Sequence, residues 1–178
     1  MAIDVGPDPK KMKKLYADFG FVSEPMIRGA GVDFIRLTSP NFPGVDIFNY
    51  KRGDRAEGHS VVGIQRPGYY EYYNSNANPY EHIPEPVRLA YPRRNVVSNP
   101  HRHQGNYGRC MSHSTLRGVL CHLSNDEYDA VIKEAMGRYG LTSDGVVMGV
   151  MDNTIELGPV VSAPKQSLKF GGIVYGRR

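Results

Sequence analysis

The chain contains no tryptophan and only two cysteines in 178 residues. Two cysteines cannot form a disulfide framework. No apolar run approaches the roughly 18 residues a membrane span needs, and the opening "MAIDVGPDPKKMKK" lacks the apolar centre of a secretory signal. These absences lead us to expect a soluble, non-secreted protein of an intracellular reducing compartment or of a particle interior, with no membrane partner. Sequence signatures of catalysis are also missing: there is no G-x-S-x-G, no H-E-x-x-H and no Walker A lysine. The glycines of "FGGIVYG" have no helix after them to cradle a phosphate.

The most informative absence is of negative charge. From Pro86 to Asn125 there is no aspartate or glutamate, and no lysine either, while Arg88, Arg93, Arg94, Arg102, Arg109 and Arg117 all fall inside it. The segment carries the whole of the excess positive charge of a chain whose net charge is +4. Solvated faces usually mix lysine with acids. Arginine is the cation preferred where charge must be desolvated against phosphate or carboxylate, because its planar fork is weakly hydrated and stacks on rings.

Glycine (20) and proline (13) are abundant, and tyrosine (12) outnumbers phenylalanine (6). Hydrophobic content of 40% and charge of 22% are those of a globular chain, long enough for one core and too short for two ordinary domains. We therefore expect a single domain over 1–178. "KKMKKLYADFG" reads as a short helix, "VDFIRLT" and "VDIFNY" as strands, "KRGDRAEGH" as a polar loop and "SVVGIQ" as a further strand. Between Arg66 and Pro100 six prolines and six tyrosines argue against regular structure, which predicts an extended arm at about 66–108 lying over a surface. "STLRGVLCHL" reads as a strand. "SNDEYDAVIKEAMGRYG" is the best helix, with Ser124 as N-cap, acids in its first turn and Gly140 as stop. "GVVMGVMDNTIELGPVV" reads as a hairpin around Asp152–Asn153, and "LKFGGIVYGRR" as a last strand. The expected fold class is α+β: a small, mostly antiparallel sheet with one main helix at about 125–139 and long irregular Pro/Tyr-rich arms.

His101, His103, His113 and His122 share twenty-two residues with Cys110 and Cys121. His101-x-His103 and Cys110-x-x-His113 offer zinc-type ligands, but their spacing matches no standard finger and six arginines oppose a dication. We expect no metal and no cofactor. A cysteine–histidine nucleophile needs an orienting group and oxyanion donors that no motif marks. The segment "VLCHLSNDEYDAVIKEAMGRYGLTSD", within 119–144, resembles the ribbon-helix-helix DNA-binding family: a short strand, a serine-capped helix, a glycine turn and a second Ser/Asp start. That resemblance implies a nucleic-acid partner contacted from the strand, with Arg117 and His122 as its candidates. It departs from the family where "GVVMGVMDN" should form the second helix, since glycine and valine favour a strand.

The reading these features favour is non-enzymatic: a structural or assembly subunit of a virion or another multi-subunit particle. Its partners would be protein subunits, with nucleic acid as a further target and no small-molecule substrate. The contact residues would be Arg88, Arg93, Arg94, Arg102, Arg109, Arg117, Tyr91 and Tyr107. The alternatives are a nucleic-acid-binding protein and a zinc-supported or Cys/His thiol enzyme.

Overall fold

A computed structural model describes residues 14, 16–53, 55, 57–105 and 108–158, together with the backbone of 168–170 and 173–175. Its centre is a seven-stranded sheet. β1 (Val22–Ser23) and β2 (Ile27–Gly29) both pair with β3 (Val32–Thr38), followed by β4 (Val45–Arg52), β5 (Gly58–Arg66), β6 (Tyr69–Tyr73) and β7 (Val96–Ser98). Every pairing is antiparallel except that of β6 with β7. The three long strands lie in register, with Phe34 opposite Tyr50 and Tyr50 opposite His59. A separate antiparallel pair, β8 (Leu168–Phe170) and β9 (Ile173–Tyr175), stands where one last strand is expected from the sequence.

Both faces of the sheet are covered, so β4 buries four successive residues, Val45–Phe48, instead of alternating. On one face Leu37, Val45, Ile47, Val62, Ile64 and Tyr73 pack under α2 (Cys110–Val119), α3 (Asn125–Tyr139) and α4 (Ser143–Met151). On the other, Val32, Phe34, Phe48, Val61 and Tyr72 meet Ile83 and Val87, the latter on α1 (Glu85–Ala90). Gly63 makes room for a ring: a Cβ there would lie 1.9 Å from the Tyr70 hydroxyl.

The 125–139 helix forms within the bounds its capping signals predict. Ser124 and Glu127 make a reciprocal capping box, and Gly140 closes the helix at φ 64°. Three other expectations are corrected. "STLRGVLCHL" belongs mainly to a helix, α2, because Leu116, Val119, Leu120 and Leu123 recur at helical spacing and are all buried on one side. "GVVMGVM" is helical too. Thr142 caps it by accepting from Gly145 N–H, and burial of Val146, Val147 and Val150 overrides weak helix propensity. With α1, α2 and α4 present there is no single main helix.

The third correction concerns the 66–108 segment, which is no arm. It holds the end of β5, β6, a 3₁₀ turn at Tyr80–His82, α1 and β7, and Tyr70, Tyr72 and Tyr73 are each 1% exposed. Its prolines sit at joints: Pro67 in the β5–β6 turn, Pro79 and Pro84 as helix N-caps, Pro86 in the first turn of α1. The ribbon-helix-helix resemblance also loses its strand, since α2 ends at Val119 and the residues from Leu120 to Leu123 turn into the capped helix. The expected N-terminal helix lies mostly outside the described residues; 16–18 are helical, with Tyr16 and Phe19 buried. No helix among the described residues is long and apolar enough to cross a membrane.

Candidate functional site

The arginine block does not form one surface. Arg117 is fully buried, so its assignment as a partner contact is corrected. Its guanidinium pairs with Glu71 of β6 and donates to Leu120 O, Leu123 O and Asn125 Oδ1 at 3.0–3.2 Å. Arg93 reaches Asp46 Oδ2 at 2.6 Å and lies over the Tyr70 ring. Tyr91 donates to Glu24 at 2.7 Å while Arg36 lies over its ring. Arg88 donates to Ile83 O, Arg102 to Gln104 O, and Arg109 lies 3.5 Å from Met148 Sδ. Arg94 and Arg102 are exposed. Tyr107 lies outside the described residues. The acids missing from the segment in sequence are thus supplied to Arg93 and Arg117 in space by β4 and β6.

The histidines and cysteines also part company. His103 and His113 turn inward, each with Nε2 on a carboxylate: Asp129 at 2.8 Å and Asp144 at 2.8 Å. Cys110 lies elsewhere, at the first position of α2, and Cys121 is a second free thiol. Among the described residues no group of three or more such side chains could hold a metal ion.

Cys110 instead opens onto a cleft of about 820 Å³ at the end of the sheet, whose walls include His59, Tyr50, Asn76, Gln104 and Gly108. β5 brings His59 there as its second residue, opposite Tyr50, whose ring meets the imidazole edge-on at 5.7 Å. Asn74 follows directly after β6, buried. Its Oδ1 accepts from Asn76 N–H at 3.0 Å, which fixes the amide orientation, so the 3.0 Å contact with His59 Nε2 has the imidazole donating. His59 Nδ1 is then the unprotonated, basic nitrogen of the neutral ring. Asn74 Nδ2 donates to Tyr72 Oη, and Asn99 braces its backbone on both sides.

The thiol sits among backbone donors. Burial pushes its pKa up, and hydrogen bonds from the backbone of Ser60, Met111 and Cys110 itself oppose that. Ser60 adjoins His59 in the chain, which ties the sulfur to the imidazole's strand. Burial likewise lowers the His59 pKa, against the bond to Asn74. The resting pair is therefore a neutral thiol and a neutral imidazole, and no hydrogen bond joins them in this structure. Such bonds commonly tighten only when substrate binds. Gln104, six residues before Cys110, is held by Ser75 Oγ on its Oε1 at 2.6 Å, and its backbone N–H donates to Ser75 O at 2.8 Å. The anchored oxygen fixes the orientation of this amide.

A thiol at a helix N-terminus, a histidine oriented by an asparagine, and a carboxamide in one cleft form a set suited to acyl transfer. Sequence reasoning missed His59, Asn74 and Gln104: it sought the partner of Cys110 among the neighbouring histidines, whereas nucleophile and base need be adjacent only in space. Comparisons with known protein families, with curated proteins and with solved structures find no match for this chain.

Proposed function

We propose that the chain is a cysteine-dependent acyl-transfer enzyme, a hydrolase of amides or esters, with Cys110 as nucleophile and His59 as general base. His59 Nδ1 takes the thiol proton, and the sulfur attacks the substrate carbonyl carbon. The resulting oxyanion accepts hydrogen bonds from backbone N–H groups of the first turn of α2. The imidazolium then gives its proton to the leaving group, and water, deprotonated by the same nitrogen, releases the acyl group. Asn74 holds the imidazole in the tautomer that each step requires. Cysteine, histidine and asparagine carry these roles in cysteine proteases, where the constellation is recognised by geometry and not by chain order.

The observation that carries the reading is the 3.0 Å bond from His59 Nε2 to an asparagine oxygen fixed by Asn76, in the cleft that Cys110 shares. The test is an acylation burst with p-nitrophenyl acetate. One equivalent of nitrophenolate per chain is expected, lost in Cys110→Ala and slowed about a hundredfold or more in His59→Ala. A burst that survives Cys110→Ala overturns it.

A second reading, an assembly role through protein subunits or nucleic acid, is supported by the outer edge of the sheet. There, among the described residues, β7 pairs on one side only, and Leu89 at 73%, Val97 at 52% and Arg94 are exposed. Loss of self-association or of nucleic-acid retention on size-exclusion chromatography in Arg94→Glu would favour it.

A further inference from the structure

β5 outruns its neighbour β6, and the surplus lies at the thiol. β4 pairs with β5 from Gly58 to Ile64, whereas β6 pairs with it only from Val62 to Arg66. The chain leaves the sheet after Tyr73 because Asn74 starts a turn: Ala77, in the left-handed region at φ 57°, donates its N–H to Asn74 O at 2.8 Å. Gly58 to Val61 therefore have β4 on one side and, among the described residues, no strand on the other.

In an antiparallel ladder the N–H and C=O of one residue point to the same neighbour, and successive residues point to opposite neighbours. Gln65 N–H donates to Gly44 O, next to β4, so the odd-numbered residues of β5 bond to β4 and the even-numbered ones face β6. Beyond the end of β6 those are Ser60 and Gly58. Ser60 N–H is turned to the Cys110 sulfur. Gly58 follows two residues, roughly 7 Å, further along the same edge. It is exposed, it lines the cleft, and its N–H and C=O have no backbone partner among the described residues. Space continues in that direction. A second hollow of about 590 Å³ adjoins the cleft, the two sharing Arg52, Pro84 and Glu85. Arg52 comes directly after Lys51, the partner of Gly58, so this hollow lies beyond Gly58 as seen from Cys110.

We propose that the substrate is a polypeptide, bound in extended form as a short added strand on this open edge of β5, with the acyl side of the scissile bond paired to Gly58. The Gly58 N–H donates to a substrate carbonyl and its C=O accepts a substrate N–H, which sets the reacting carbonyl at the sulfur. Main-chain pairing of this kind supplies affinity, and side-chain pockets supply any selectivity. It also keeps the acyl part in place after the leaving group departs. The chemistry is that already given: the C–N bond breaks, the amine leaves with the imidazolium proton, and water restores the thiol. This inference rests on the acyl-transfer reading.

The test compares two acyl donors: p-nitrophenyl acetate, too short to reach Gly58, and the p-nitrophenyl ester of acetyl-tetra-alanine. Relative to its hydrolysis in buffer, the peptidyl ester is expected to acylate Cys110 about tenfold faster or more, the worth of one or two net hydrogen bonds. Proline is compatible with an open strand edge and removes the N–H that faces the substrate. Gly58→Ala brings the same Cβ, 3.2 Å from Tyr50 O, but keeps that N–H. Gly58→Pro is expected to slow the peptidyl ester about tenfold and Gly58→Ala by no more than about threefold, with the acetate rate of both within about twofold of wild type. N-methylation of the probe, which changes nothing in the protein, should slow it at alternate peptide nitrogens only, because successive N–H groups of a strand face opposite ways. If Gly58→Pro does not fold, shown by loss of its acetate burst, the N-methyl series decides alone. A peptidyl ester no faster than the acetate, a folded Gly58→Pro equal to Gly58→Ala, or N-methyl effects without alternation would overturn the proposal. An acetate burst missing from the wild type, or surviving in Cys110→Ala, is instead the failure of the acyl-transfer reading itself.

Discussion

Replacing Arg117 with methionine tests how much of the arginine block is structural. The side chain is fully buried, meets Glu71, and satisfies two carbonyls and an amide oxygen at the α2–α3 junction. Arg117→Met removes the charge and leaves Glu71, 3% exposed, with Arg66 at 3.3 Å and the Tyr69 hydroxyl at 3.5 Å. Breaking a buried pair on one side costs about 3–5 kcal/mol, because the remaining charge stays desolvated. For a chain of this size that lowers Tm by roughly 6–20 °C. The double variant Glu71→Gln/Arg117→Met should regain most of the loss, since replacing both members of a buried pair is often nearly neutral. Differential scanning calorimetry of the three proteins measures both numbers. A loss under about 1 kcal/mol for the single variant, or no recovery in the double, would refute a dry, paired Arg117.

Other consequences follow the same physics. Asn74→Ala should slow acylation about tenfold or more by freeing the imidazole, with the iodoacetamide rate of Cys121 unchanged as a control. Gly63→Ala would push the Tyr70 ring off its place, with its bond to Asp46 and its stacking under Arg93, and should cost about 3 kcal/mol in a denaturant titration. His59, His103 and His122 all have pKa values lowered from 6.5, chiefly by burial. Below pH 6.5 the unfolded chain therefore takes up protons that the native chain refuses, and stability falls as pH drops. Tm measured from pH 7 to pH 5 should decline; a flat or rising Tm would contradict neutral buried imidazoles.

What could be read from the residues depended on whether the signal was local. The 125–139 helix was legible because its cap, first-turn acids and terminal glycine lie within the helix's own span. The α2 helix carried its period in Leu116, Val119, Leu120 and Leu123, but glycine and valine nearby pointed to a strand. The α4 helix showed a Ser/Asp start, but its glycines and valines pointed to a strand; burial against α2 and α3 decides it. The arginine run was visible, but its meaning was not, since Glu71 and Asp46 reach it across the sheet. The catalytic candidates failed in the same way. His59 sat at the end of a polar loop and Asn74 in a tyrosine-rich stretch, and only the β5–β6 pairing and the packing of α2 bring them to the cleft that holds Cys110.

The central claim is that His59 serves as base to Cys110, and the pH profile of thiol alkylation, resolved by peptide mapping, tests it most directly. With His59 as base, the Cys110 rate should rise as the imidazole loses its proton, below pH 6.5, and then level. Cys121, whose pKa is raised from 9.0 by burial, should react only in alkali, as should Cys110 in His59→Ala. Profiles of the two cysteines that rise together above pH 9 and ignore His59→Ala would contradict the account.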